Sequence, residues 1–156
     1  MIKAKSLRKY QSDKSGYRLK PKMAFKPKNE KEVLQILERS RIPITARGSG
    51  TNLSGSAIGR GIIADFSLMN RIISRNGRTV RLQPGVIYDR LNRYMKSHCI
   101  WLPYSPSSGK WCSIGGNIAC GAGGLRSVKY GVVDSYVRSL RFVSPRFGLV
   151  DTRKLP

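Results

Sequence analysis

Arg47-Gly48-Ser49-Gly50-Thr51-Asn52-Leu53-Ser54-Gly55-Ser56-Ala57 follows directly on the apolar run Ile42-Pro43-Ile44-Thr45-Ala46. A strand running straight into glycines and small hydroxyl residues makes a loop suited to phosphate. Glycine permits positive φ and close backbone approach, so consecutive N–H groups can converge on one anion while Ser and Thr hydroxyls supplement them. The spacing excludes two common phosphate motifs. A dinucleotide fingerprint begun at Gly48 and Gly50 needs a glycine where Leu53 stands, and no Gly-Lys-Ser/Thr sequence occurs in the chain. A nucleotide at this loop is held in another way.

Working outward, Met23-Ala24-Phe25 lies between prolines as a short strand candidate, and Asn29 followed by Glu32 has the spacing of a capping box. A helix is expected over about 30–40, with Val33, Leu34, Ile36 and Leu37 as its apolar stripe. Ile42–Ala46 and Gly61–Asp65 read as strands. The first delivers its C-terminal end into the glycine loop, where open α/β sheets bind ligands. Asn76-Gly77 predicts a hairpin joining 71–74 to 79–82. Ile87, Leu91, Tyr94 and Met95 recur at helical spacing, predicting an amphipathic helix that ends near Ser97. A helical turn is expected within 113–119. Residues 134–144 alternate as a strand would, and 147–152 is expected to pair back across Pro145-Arg146. No internal repeat or linker domain is evident.

A second glycine-rich segment, Ser107 to Gly131, contains Gly115-Gly116, Gly121, Gly123-Gly124 and Gly131. Two such loops in one small domain suggest one extended ligand. Together with Tyr10, Asp13, Ser15, Tyr17-Arg18, Pro21, Pro27 and Pro84-Gly85, their order and spacing resemble the FAD-linked oxidase domain of the vanillyl-alcohol oxidase superfamily. The likeness spans about residues 10–155 and is greatest to the glycolate oxidase, D-lactate dehydrogenase and D-2-hydroxyglutarate dehydrogenase branch. The resemblance implies an α+β, PCMH-type FAD-binding fold: a small helix-flanked sheet carrying the first loop, plus the start of an antiparallel sheet, truncated relative to the family. Residues 1–9 are expected as a basic mobile tail and 10–156 as the flavin domain.

The resemblance also implies a cofactor, FAD, and the residues that hold it. Gly48, Ser49, Gly50, Thr51, Asn52 and Leu53 would offer N–H groups to the pyrophosphate. Side chains of Thr51, Asn52 or Ser54 would assist, with charge from Arg47. Ile114, Gly115, Gly116, Asn117, Cys120, Gly123 and Gly124 would lie along the cofactor, and Pro84 and Gly85 would border the ring. Gly121 stands where an asparagine is usual in this branch, and Ser144–Gly148 replaces a shorter acidic turn. The implied reaction is oxidation of a D-2-hydroxy acid, with hydride passing to the flavin. Family members carry their substrate residues in a further domain. The one histidine, His98, falls at a predicted helix end, so no catalytic residue and no metal ligand set is assigned. Three readings stay open: a fragment of an interrupted gene, one half of a split enzyme completed by a second polypeptide, or a fold retained for binding.

The chain of 156 residues suits one domain, burying about two-thirds of its unfolded surface. Thirty Lys and Arg against eight Asp and Glu give a net charge of +22, far more than one pyrophosphate needs. Such an excess favours nucleic acid, an anionic membrane surface or an acidic partner. It is densest before Asn29, where ten cations face only Asp13. The alternative reading is therefore a small RNA-binding or ribosome-associated protein without cofactor, which leaves the glycine loops unexplained. No apolar run approaches a membrane span and no secretory signal opens the chain, so a cytoplasmic protein is expected, membrane-peripheral at most. Cys99, Cys112 and Cys120 match neither a zinc site nor a CxxC redox motif and read as reduced thiols.

Overall fold

The computed structural model describes residues 2–154; Met1, Leu155 and Pro156, the extremes of the expected tail and domain, lie outside the described residues. The chain is an α+β domain built on a four-stranded sheet in the order β1-β2-β4-β3. These strands are β1 (Ile2–Lys3), β2 (Met23–Lys26), β3 (Ile44–Arg47) and β4 (Ile62–Asp65). β2, β4 and β3 run parallel, with Ala24 opposite Ile63 and Arg47 opposite Asp65, while β1 pairs antiparallel with β2. Central β4 is buried along its whole length, as expected of a parallel strand covered on both faces.

Helix α1 (Glu30–Arg39) makes the crossover from β2 to β3. Its start is set by sequence: Asn29 Oδ1 accepts from the Glu32 N–H at 2.9 Å, and the Glu32 carboxylate accepts from the Lys28 N–H at 2.8 Å. Of the expected apolar stripe only Ile36 is fully buried; Val33, Leu34 and Leu37 are half-buried. Parallel neighbours β3 and β4 need a crossover of their own. No helix supplies it. The glycine loop, residues 48–61, is that crossover.

Hairpin β5 (Ile72–Asn76) and β6 (Thr79–Leu82) turns through Gly77 at φ 55°, with Asn76 paired to Thr79, and carries a register irregularity between Ile72 and Ser74. It feeds Pro84-Gly85 and then α2 (Tyr88–Lys96), whose Tyr88, Leu91 and Met95 join Val86, Tyr104, Cys112, Ile114 and Val133 in the larger core. A smaller core of Tyr10, Ala24 and Ile63 lies under the sheet. The expected turn within 113–119 is helix α3 (Ile114–Ala119), capped by Ser113. A short α4 (Ser127–Tyr130) follows.

Two expectations are corrected. Residues 134–144 are not one strand: Val133–Tyr136 forms a 3-10 turn, and only β7 (Arg141–Ser144) is extended, pairing with β8 (Gly148–Asp151) as the proposed hairpin. Alternation alone does not make a strand where no neighbour lies alongside. Residues 2–9 are placed against the sheet rather than as a free tail: Ile2 and Lys3 pair with Lys26 and Phe25, the Ala4 N–H donates to Ala24 O at 2.8 Å, and Tyr10 is wholly buried. An apolar anchor at Tyr10 and an open edge at β2 hold the segment despite its charge.

Candidate functional site

β3 ends at Arg47, which is neither a surface residue nor directed at the mouth of the loop. Its side chain is buried and turned back beneath the loop. Nη1 donates to Ala57 O at 2.9 Å, and Nη2 donates to Lys9 O at 3.1 Å and Ser12 O at 3.0 Å. One guanidinium thereby joins the far end of the loop to the N-terminal segment. Burial lowers its pKa, and the nearby Asp65, Asp13 and Tyr10 oppose that shift. Asp13 completes the base of the loop, accepting from Ser15 Oγ at 2.5 Å, Ser15 N–H at 2.9 Å and Ala57 N–H at 3.4 Å.

Asp65, at the end of β4, accepts from Tyr10 O–H at 2.7 Å, Lys9 Nζ at 3.0 Å and Ser67 N–H at 2.9 Å. Burial pushes its carboxyl up, but these hydrogen bonds outweigh burial and hold it below the usual carboxylate range. A depressed folded pKa contributes stability that is present above the unfolded value, about 3.9, and is lost as pH falls through the folded one. Urea unfolding should therefore show the domain weakening below about pH 4, with a shallower acid loss in Asp65→Asn. Tyr10→Phe should cost about 1.5–3 kcal/mol at neutral pH, as for a hydrogen bond to a charged group.

Asn52 organises the loop itself. Its Oδ1 accepts from Ser54 N–H at 2.8 Å, Ser54 Oγ at 3.0 Å and Ser56 N–H at 2.9 Å, and Nδ2 reaches Cys120 Sγ at 3.2 Å. The same side chain thus shapes the first glycine loop and ties it to the second. A second contact joins them at Gly48, where a Cβ would fall 2.1 Å from Ser113 Oγ. Pro84 closes the group: the Gly115 N–H donates to Pro84 O at 2.8 Å, and a Cβ on Gly115 would lie 2.5 Å from Pro84 Cβ. Asn52→Ala should cost the fold about 1 kcal/mol for each of these bonds lost and free the first loop from the second. Urea midpoints, with limited proteolysis at the loop, check both effects.

The loop's polarity is unevenly used. Among the described residues, no protein acceptor receives a hydrogen bond from the backbone N–H of Ser49, Gly50, Thr51, Asn52 or Leu53. These five consecutive donors, with Gly50 at φ 72°, fit an anion such as pyrophosphate. The second segment differs. The N–H groups of Ile114, Gly115, Gly116, Asn117 and Cys120 already donate to Val86 O, Pro84 O, Ser113 Oγ, Ser113 O and Gly116 O. They are spent on the fold. Any contact they make with a ligand comes through other atoms, whereas the N–H groups of Gly123 and Gly124 have no acceptor among the described residues. Asn117 is buried with Nδ2 turned towards Tyr104 Oη. Gly85 is buried too, and a Cβ there would strike Phe66 O and Met69 O at 2.2 and 2.8 Å, so its part is close packing. Gly121 lies at φ 57° with its nearest neighbour 3.9 Å from a built Cβ, a conformation that asparagine also adopts.

His98 lies just beyond α2, its Nδ1 2.9 Å from Tyr94 O and 3.1 Å from Ser97 Oγ. No group of three or more His, Cys, Asp or Glu placed to hold a metal occurs among the described residues. Nor is any described helix long and apolar enough to cross a membrane.

The family model described as "FAD binding domain" matches residues 21–152. The chain belongs to this family. The FAD-binding domain is 38% identical over 143 residues to the glycolate oxidase subunit GlcD of Bacillus subtilis, covering 87% of this chain and 30% of that protein. It is 34% identical to a D-lactate dehydrogenase of Anaerostipes hadrus, over 72% of this chain and 24% of that protein. With D-2-hydroxyglutarate dehydrogenase of Escherichia coli the identity is 36%, over 93% of this chain and 15% of that protein. The FAD-binding domain thus spans less than a third of these relatives' length. In fold it is similar to a solved alkyldihydroxyacetonephosphate synthase, with a TM-score of 0.78 at 22% identity, over 89% of this chain and 27% of that one. FAD is the cofactor this family binds, and the open donors of Ser49–Leu53 suit its pyrophosphate.

Proposed function

We propose that this chain is the flavin-holding part of an FAD-linked oxidoreductase that oxidises a D-2-hydroxy acid, with the FAD pyrophosphate lying on the N–H groups of Ser49 to Leu53. The observation that carries the placement is that run of five donors without a protein acceptor, at the end of a parallel strand. Thr51 and Ser54 hydroxyls add to it, while Arg47 acts from below by fixing the loop rather than by touching the anion. Gly123 and Gly124 offer the remaining open N–H groups. Ile114, Gly115, Gly116, Asn117 and Cys120 form a wall along the cofactor, backed by Pro84 and Gly85.

Bound FAD supplies a hydride acceptor for alcohol oxidation. The residues of this chain bind and orient that group. His98 is taken up with its own helix end. Proton transfer and substrate recognition are therefore assigned to a region outside this chain, carried in a split arrangement by a second polypeptide; that the chain matches only 30% of the glycolate oxidase subunit supports a region beyond it.

The test is anaerobic titration of the FAD-loaded chain, alone and with the polypeptide that co-purifies with it. Glycolate, D-lactate and D-2-hydroxyglutarate are compared with the L enantiomers of the two chiral acids. Loss of the visible flavin band is expected with one of the first three acids and only in the combined sample. Equal bleaching by an L acid, or none in either sample, would overturn the assignment.

A further inference from the structure

The basic excess is concentrated at a place in the fold that the flavin does not explain. Residues 2–26 line a shallow, open groove of about 830 Å³ whose lining includes Lys3, Lys5, Arg8, Lys9, Arg18 and Lys26 and no acidic residue. Asp65, bonded to Lys9 from beneath, is buried. The groove is built on ordered backbone. β1 is the edge strand of the main sheet, Tyr10 is anchored in the small core, and Arg18 is fixed by the bridge between Ser12 and Arg18 and by the Leu19 N–H to Gln11 O bond at 2.9 Å. All of these cations except Lys26 precede residues 21–152, the part that matches the FAD-binding family.

We propose that this groove binds a single strand of nucleic acid through its phosphates. A bilayer would find little to hold it here, because Ile2 is the one large hydrophobic side chain of the lining that is exposed, whereas Lys3, Lys5, Arg8, Arg18 and Lys26 offer charge with no acidic residue among them. A flexible strand carrying one charge per nucleotide can follow such a groove, and the arginine forks grip phosphate in pairs of hydrogen bonds. Tyr10, the aromatic residue in the lining, is buried with Lys9 Nζ 4.6 Å from its ring centroid, so it offers no face for stacking. Binding is therefore indifferent to base sequence and strongly dependent on salt, with a slope of about −0.7 per phosphate neutralised.

The experiment is fluorescence anisotropy of a labelled oligouridylate of about 12 nucleotides, within the usual site sizes, across a salt series. The chain is compared with the triple variant Lys3→Glu, Lys5→Glu, Arg8→Glu and with a charge-matched control, Arg78→Glu, Arg93→Glu, Lys96→Glu. FAD retention checks that each variant is folded. The groove variant should lose at least about tenfold in affinity and flatten the salt slope by about 2, while the control stays within about threefold of the parent. Equal loss in the control would reduce the effect to bulk charge and overturn the proposal. Tighter association with phosphatidylserine vesicles, or equal displacement by polyglutamate, would overturn it in favour of a membrane or an acidic protein.

Discussion

Replacing Arg47 with alanine is expected to cost the domain about 3–5 kcal/mol and to abolish stable flavin retention, the range seen when one member of a buried charge network is removed. The reason is geometric. Three carbonyls, from Lys9, Ser12 and Ala57, converge on one guanidinium, with the carboxylates of Asp13 and Asp65 nearby. Alanine leaves those oxygens without a donor, removes the cation beside Asp13 while Asp65 keeps only the Lys9 cation, and opens a cavity beneath the loop. Arg47→Lys keeps the charge, but a single ammonium cannot present two separate nitrogens to carbonyls on either side, so it should recover only part of the loss. Urea midpoints and retained flavin, measured on the same preparations, check both variants. If Arg47 touched the pyrophosphate instead, alanine would weaken flavin binding and leave the midpoint nearly unchanged.

Gly50→Val should weaken FAD binding by at least about a hundredfold, or about 2.7 kcal/mol. Two independent strains meet there. The residue lies at φ 72°, which a β-branched side chain strongly disfavours, and a built Cβ falls 2.2 Å from Arg47 Nη2 and 2.6 Å from its Cζ. The guanidinium cannot yield without releasing Ala57, Lys9 and Ser12. The central donors of the 49–53 run are displaced as a result. Gly116→Ala provides the contrast: its Cβ meets only Ser113 Oγ at 3.1 Å, so it should leave affinity within about threefold. Equilibrium flavin titration of the two variants distinguishes a specific loop from a general intolerance of glycine replacement.

Much of this architecture is legible in the residues. Asn29 and Glu32 announce the start of α1, Asn76-Gly77 marks the β5–β6 turn, and the passage from Ile42–Ala46 into small residues announces a strand that ends at a ligand loop. These signals are local, and local chemistry decides them. The role of Arg47 is not legible, because its acceptors at Lys9 and Ser12 lie far back in the chain and are brought to it only when Tyr10 packs under the sheet. The same holds for the second glycine segment. Sequence shows the glycines of 114–117, but only tertiary packing brings Pro84 O and Val86 O against their N–H groups and removes them as donors. Conversely, the open N–H groups of Ser49–Leu53 are what the first loop's composition leads one to expect.

The ordered N-terminal segment is the other departure from a reading by composition. Lysine density suggests a solvated tail, yet one buried tyrosine and one unpaired strand edge are enough to place residues 2–10. Charge density describes what a surface attracts and says little about whether its backbone is fixed. The same backbone joins the two proposed sites: the Lys9 carbonyl accepts from Arg47 at the base of the first glycine loop, and Lys9, its ammonium bonded to Asp65, is part of the lining of the groove.

The central claim is that the first loop holds FAD by its pyrophosphate. It is tested most directly by loading the chain, purified in high salt, with either FAD or riboflavin, desalting it, and recording the visible spectrum. A flavin band of one FAD per chain that survives desalting, together with loss of riboflavin under the same treatment, is the predicted result. Equal retention of both flavins, or loss of both from a chain shown to be folded, would contradict it.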